Sequence, residues 1–229
     1  MSNSDSAYGK LSARPGLSSG VKISTAGIVR LDVGDQRECL LYVPQNYRAD
    51  NRFPLILALH GASGNANTGL SLFQRTAEAT NAILLVPSSK KRTWDMLIRN
   101  YAEDVKLIDR ALAHVFKSYQ IDESKLAIGG FSDGASYALS LGLANGDLFT
   151  HVMAFSPGFV LPLPRQGSPR IYISHGLRDA MLPVDRCSRK IVAQLQRENY
   201  DVFYHEFDGS HSAPVKIVQE AMGWFLSSK

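Results

Sequence analysis

With 229 residues, 45% apolar and 20% charged, the chain can close one sizeable core, and this balance excludes disordered, collagenous and coiled-coil sequences. The formal charge of +4 is mild and, apart from Lys90-Lys91-Arg92, scattered, so a nucleic-acid-binding face is not expected. No apolar run is long enough to span a bilayer, no secretory leader is legible, and Cys39 and Cys187 have neither metal nor disulfide spacing, so a cytoplasmic, reduced protein is the simplest expectation.

In chain order, residues 1–20 are rich in Ser, Gly and Ala and read as a tail or surface arm, ahead of a single domain over 21–229. Ile28, Val29, Leu31 and Val33, then Cys39–Val43, flank a Gly34-Asp35 turn and predict an antiparallel hairpin. The continuous apolar run 54–59 suits a parallel strand buried on both faces. Strands at 82–86, 125–131, 151–155, 170–174 and 202–207 then alternate with helices at 69–81, 101–119, 133–145, 184–198 and 213–226. The helix 101–119 shows the periodicity best. Val105, Ile108, Leu112, Val115 and Phe116 form one stripe, with Asp104, Lys106, Asp109 and Arg110 mostly off it. Such alternation predicts an α/β chain: a mostly parallel twisted sheet with an antiparallel N-terminal hairpin and helices on both faces. No insertion has the length of a cap domain, and the long irregular segments are 88–100 and 156–168.

The strongest chemical signal is Gly130-Phe131-Ser132-Asp133-Gly134, set between a strand and a helix. A serine on so sharp a turn is exposed, its flanking glycines allow close backbone approach, and the helix N-terminus behind it favours negative charge. A serine hydroxyl needs a base. Of six histidines, His211 lies in the loop between the last strand and the last helix, which gives the order serine, acid, histidine. The acid expected between them is Asp179, on the short loop after 170–174. The competitors Asp185 and Asp208 have simpler roles at a helix start and in a turn. Two backbone amides should face a developing oxyanion: that of Asp133, after the serine, and that of Ala62 in the loop His60-Gly61-Ala62-Ser63-Gly64.

These segments, together with Leu41-Tyr42-Val43-Pro44, Arg92-Thr93-Trp94-Asp95, His175-Gly176-Leu177-Arg178-Asp179 and Gly209-Ser210-His211, run in order across most of the chain beyond residue 40. In them the chain resembles the phospholipase/carboxylesterase family of small serine α/β-hydrolases, related to polyhydroxybutyrate depolymerase-like esterases and acyl-protein thioesterases. The resemblance implies an α/β-hydrolase fold and cofactor-free hydrolysis of soluble short- to medium-chain acyl esters through an acyl-enzyme. Thioester or lysophospholipid hydrolysis is the alternative within this chemistry, and a non-catalytic ligand-binding protein is the alternative outside it. Ser210 stands where such enzymes often carry Gly. The expected partner is a small-molecule ester, and the expected state a monomer or homodimer with no membrane span.

Ligands of open α/β sheets sit at the carboxyl ends of the strands. The proline-stiffened segment 156–164 offers Phe159 and Leu161 as an acyl groove or a dimer contact. Trp94 reads as a packing residue or a pocket wall. Lys90, Lys91 and Arg92 read as solvated cations, or as a preference for acidic substrates.

Overall fold

The computed structural model describes residues 9–16, 25–95 and 103–227. Its strands are β1 (Gly27–Arg30), β2 (Cys39–Val43), β3 (Phe53–Leu59), β4 (Ile83–Pro87), β5 (Ile121–Phe131), β6 (His151–Phe155), β7 (Arg170–Gly176) and β8 (Val202–Phe207). The helices are α1 (Ala66–Thr80), α2 (Glu103–Ser118), α3 (Asp133–Ala144), α4 (Ser188–Arg197) and α5 (Val215–Ser227). Residues 101 and 102 of the expected second helix lie outside the described residues.

The strands form one eight-stranded sheet in the order β1-β2-β4-β3-β5-β6-β7-β8. β2 runs antiparallel to β1 and β4, and every other pairing is parallel. Alternate side chains serve two apolar layers, as the pleat requires. Leu55, Leu57, Ile83, Leu85, Leu126 and Ile128 face a layer that includes α2, α3 and α4. Ile56, Ala58, Leu84, Val86, Ala127 and Met153 face a layer built with α1 and α5. The apolar runs are continuous because both faces of the central strands are covered.

Two helix starts differ from the sequence reading. α1 begins three residues earlier than expected, because the Asn65 side chain accepts the Thr68 amide while the Thr68 hydroxyl accepts the Asn65 amide. This reciprocal cap satisfies two backbone donors. α4 begins later than 184, since residues 184–187 form a turn on the Pro183 carbonyl. Asp104, read as lying off the apolar stripe of α2, is fully buried.

Residues 9–14 drape over the middle of α2 and the C-terminal end of α3. The Leu11 amide donates to Asn145 Oδ1 at 2.8 Å, and Asn145 Nδ2 donates to the Gly9 carbonyl at 2.7 Å. The Ser12 and Ala13 amides both donate to Asp109 Oδ1 at 2.8 Å, and Lys10 and Arg14 pair with Asp147. Leu11 itself is 1% exposed and belongs to the core. Leu11→Ala should therefore lower unfolding stability by about 2–3 kcal/mol, seen as a lower urea midpoint at unchanged slope. A loss below about 0.5 kcal/mol would mean that the arm is not docked in solution.

Candidate active site

β5 ends at Phe131 and α3 begins at Asp133, so Ser132 makes the whole connection. Its backbone sits at φ 57° and ψ −120°, a region costly for a residue with a Cβ. Two hydrogen bonds hold it there. The Ser132 amide donates to the Phe155 carbonyl of β6 at 2.9 Å, and the Ser132 carbonyl accepts the Ser136 amide at 3.0 Å. The spacing of glycines has a steric cause. A Cβ on Gly134 would lie 2.5 Å from the carbonyl oxygens of both Leu59 and His60, and one on Gly130 would lie 2.6 Å from the Gly134 carbonyl. The elbow can press against the end of β3 only because neither residue carries a side chain.

Three loops at the carboxyl ends of the strands bring Ser132, His211 and Asp179 into one hydrogen-bonded chain. Ser132 Oγ lies 2.9 Å from His211 Nε2, and His211 Nδ1 lies 2.6 Å from Asp179 Oδ2. The carboxylate can only accept, so Nδ1 carries the proton and Nε2 is free to take one from the serine. Asp179 is buried, with Oδ1 accepting the amides of Met181 at 3.0 Å and Leu182 at 2.8 Å. Burial pushes its carboxyl up, but the Leu182 amide and His211 outweigh that and hold it below the usual carboxylate range. Phe131 packs its ring 4.7 Å from that of His211. The histidine loop reaches this place past Gly176, where a Cβ would meet the Ser210 and Gly209 carbonyl oxygens at 2.4 and 2.5 Å. The competing carboxylates are elsewhere: Asp185 pairs with Arg189, and Asp208 with Arg178.

Loop 60–64 faces the serine. A Cβ on Gly61 would be 3.5 Å from Ser132 Cβ, and Ala62 is exposed on the same side. The first intrahelical bond of α3 uses the Ser136 amide, which leaves the Asp133 amide free at the helix N-terminus. The loop is braced from behind. The Ser89 amide donates to His60 Nε2 at 3.0 Å, so His60 Nδ1 carries the proton and donates to the Gly61 carbonyl at 2.8 Å. Burial holds the His60 ring below the ordinary histidine range and therefore neutral. The Ser63 amide donates to the Arg92 carbonyl at 2.6 Å, and Arg92 Nε donates to Ser63 Oγ at 2.8 Å. The Asp133 carboxylate accepts from the Thr93 hydroxyl at 2.7 Å.

Trp94 is fully buried behind this loop, so its role is packing and not that of a pocket wall. Its indole donates to the His60 carbonyl at 2.9 Å and stacks on Tyr137 at 5.0 Å. Below it, Asp95 and Asp104 each accept the other's backbone amide at 2.8 Å, and Arg37 pairs with Asp104. Burial, with Asp95 alongside, raises the Asp104 carboxyl above its ordinary range.

Two cavities flank the Ser132–His211 pair. One, of about 380 Å³, is lined by the 61–64 loop, Thr68, Phe131, Ser132, Met181 and His211. The other, of about 430 Å³, lies past Phe131 and His211 against Thr68, Ser71, Leu72, Ser212 and Ala213. Phe159 and Leu161 line neither. Segment 156–163 runs along α3, with the Gly158 and Leu161 amides bonded to Ser136 and Ser140, which leaves Phe159 exposed and turns Leu161 to the core. The walls that the sequence reading missed are Phe131 and Met181, each beside a motif residue but with no periodic signal of its own. The Lys90-Lys91-Arg92 run is partly engaged, Lys90 with Glu103 and Arg92 with Ser63.

This arrangement is that of an α/β-hydrolase fold with a serine at its elbow. Residues 32–163, more than half of the chain, match the Esterase family model, described as "Putative esterase". The chain belongs to this family. The match takes in Ser132 and loop 60–64 and ends before Asp179 and His211. A probable feruloyl esterase C of Aspergillus flavus is 32% identical over 159 residues, covering 66% of this chain and 58% of that protein. The chain thus spans less than two thirds of the length of the curated relatives it matches. Among solved structures, an S-formylglutathione hydrolase of Staphylococcus aureus aligns with a TM-score of 0.72 at 13% identity, over 89% of this chain and 99% of that one. A ferulic acid esterase of Anaeromyces mucronatus aligns with a TM-score of 0.68 at 18% identity, over 93% and 96%. Among the described residues no helix is long and apolar enough to cross a membrane.

If Asp179 orients His211, Asp179→Asn should cut ester turnover by about 10³- to 10⁴-fold, because the amide favours the wrong imidazole tautomer. Asp185→Asn should change it by less than about twofold, and the reverse ranking in steady-state kinetics would move the acid. A carboxyl held below its ordinary value lends stability above that value and loses it as pH falls through the folded one. Stability of the wild type should therefore fall more steeply below about pH 4 than that of Asp179→Asn, read from urea midpoints at each pH.

Proposed function

We propose that this chain is a serine carboxylesterase that hydrolyses soluble esters with short to medium acyl chains through an acyl-enzyme. The observation that carries the reading is the continuous Ser132–His211–Asp179 hydrogen-bond chain built on the strained turn at Ser132. His211 Nε2 takes the hydroxyl proton as Ser132 Oγ attacks the ester carbonyl carbon. The oxyanion is received by the amides of Ala62 and Asp133, each such donor being worth about 3–4 kcal/mol in the transition state. Asp179 stays ionised and offsets the imidazolium. The carbon–alkoxy bond then breaks, and His211 returns the proton to the departing alcohol. Water attacks the acyl-serine, His211 takes its proton, the acid leaves, and the Ser132 hydroxyl is restored. The cycle closes with these groups and water, all from one chain, so the reading calls for neither cofactor nor partner subunit.

Feruloyl ester hydrolysis, the activity in the names of the fungal relatives, extends the reading to aryl-bearing acyl groups. Phe131 and Met181 supply an aromatic and a thioether wall to a cavity large enough for such a group. A cytoplasmic location belongs to the same reading and is supported by two buried free thiols, Cys39 and Cys187.

The test is kcat/KM for p-nitrophenyl esters from acetate to palmitate, with a feruloyl ester alongside, for wild type and Ser132→Ala. Each methylene that enters the cavity contributes up to about 0.8 kcal/mol, so kcat/KM should rise and level off by about C8. Ser132→Ala should lower kcat by about 10⁴-fold or more at unchanged Tm. Equal rates for the two proteins would refute the reading, and a steady rise to palmitate would refute its substrate range.

A further inference from the structure

Among the imidazoles that the mechanism above leaves unused, one stands beside Asp179. His175 is fully buried at the end of β7, immediately before the glycine that admits the histidine loop. Its Nε2 lies 2.7 Å from the Leu182 carbonyl oxygen and 3.1 Å from Asp179 Oδ2, and its Nδ1 lies 2.6 Å from Ser188 Oγ. The Leu182 carbonyl can only accept, so Nε2 carries the proton and Nδ1 accepts the Ser188 hydroxyl. Asp179 Oδ1 is already committed to the Met181 and Leu182 amides. The oxygen left for His211 is therefore the one that His175 faces.

Burial holds His175 below the ordinary histidine range, so it meets Asp179 as a neutral N–H dipole and not as a competing cation. The other titratable groups around it are few. His211 lies across Asp179, and the Cys187 thiol, pushed up by burial, lies beyond Asp179. Glu206, its register partner on β8, is tied to Arg189 and Tyr204.

We propose that His175 is a positioning residue for the acid of the site. Fixed in one tautomer by the Leu182 carbonyl, which takes the shorter contact of its Nε2–H, the ring also turns that N–H edge to Asp179 Oδ2 at 3.1 Å, steadies the carboxylate in line with His211 Nδ1 and draws off part of its charge. The proposal rests on the esterase reading and goes beyond it. Without this donor Asp179 loses alignment, so kcat falls. Asp179 also turns its full charge on His211, so the imidazolium becomes easier to form and the acid limb of the pH profile moves to higher pH. A packing role would lower stability and move neither.

The test compares His175→Phe, His175→Gln and Ser188→Ala with wild type, using p-nitrophenyl acetate for kcat, KM and the pH profile. The titration of His211 is followed in parallel by NMR. His175→Phe should lower kcat by about 10- to 100-fold, with KM within about twofold and the acid limb raised. His175→Gln, whose amide can donate from nearly the same point, should recover most of both effects. Ser188→Ala, which removes the hydroxyl that anchors Nδ1 and loosens the ring while the Leu182 carbonyl keeps the tautomer, should fall between wild type and His175→Phe. An unchanged kcat and acid limb in His175→Phe would overturn the proposal. Should that variant fail to fold, unchanged values in Ser188→Ala would do the same. The NMR titration of His211 separates the two readings. If wild type shows no Ser132-dependent hydrolysis, the esterase reading fails, while an upward shift in His175→Phe still supports the coupling and its absence refutes it.

Discussion

Ser132 occupies a backbone conformation that a residue with a Cβ avoids, and the whole candidate site is arranged by what keeps it there. The turn is pinned to β6 through the Phe155 carbonyl and continued by the first bond of α3. It is pressed against the end of β3 across Gly130 and Gly134, where even a methyl group would meet backbone. The same crowding recurs one loop away, where Gly176 lets residues 209 and 210 pass over the end of β7. Close approach of bare backbone at the carboxyl edge of the sheet therefore sets the distances that the side chains then use. Strain at one residue is affordable because the surrounding sheet is covered on both faces and cannot relax around it.

Electrostatics complete what sterics begin. Asp179 is buried, which alone would favour its neutral form, but two amides and two imidazoles surround it and keep it ionised. Asp104 shows the opposite balance. It also takes backbone amides, from Lys90 and Asp95, with Arg37 beside it, yet burial, joined by a second carboxylate alongside, turns its carboxyl upward. The first carboxylate stands in the hydrogen-bonded chain with His211 and Ser132. The second ties the base of α2 to the segment that carries Trp94, and through Trp94 and His60 it supports the loop bearing Ala62.

Much of this was legible in the residues alone. The central strands announced themselves as continuous apolar runs, because burial on both faces leaves no polar position to interrupt them. Ser132, Asp179 and His211 could be chosen because each lies in a loop directly after a strand, and parallel strands bring such loops to one edge. What was not legible depends on side-chain direction. Trp94 stands in a loop and so could have faced either way, and it is held inward by contacts distant in sequence, the His60 carbonyl and Tyr137, with the Asp95–Asp104 clasp beside it. Phe159 and Leu161 lie in a segment whose course is set by hydroxyls of α3, Ser136 and Ser140, and no local pattern encodes that. The start of α1 was encoded, in Asn65 and Thr68, but as a cap and not as periodicity. His175 was visible as a strand-end histidine, yet its meeting with Asp179 requires the loop through Leu182 to fold back.

The central claim is that the serine at the strained turn is a nucleophile, and covalent capture tests it without reference to any natural substrate. A fluorophosphonate added to the native protein should add one equivalent by intact mass. Peptide mapping should place the adduct on Ser132, with the rate of addition lowered in the Asp179→Asn protein. No adduct, or an adduct on another serine such as Ser136, would contradict the account.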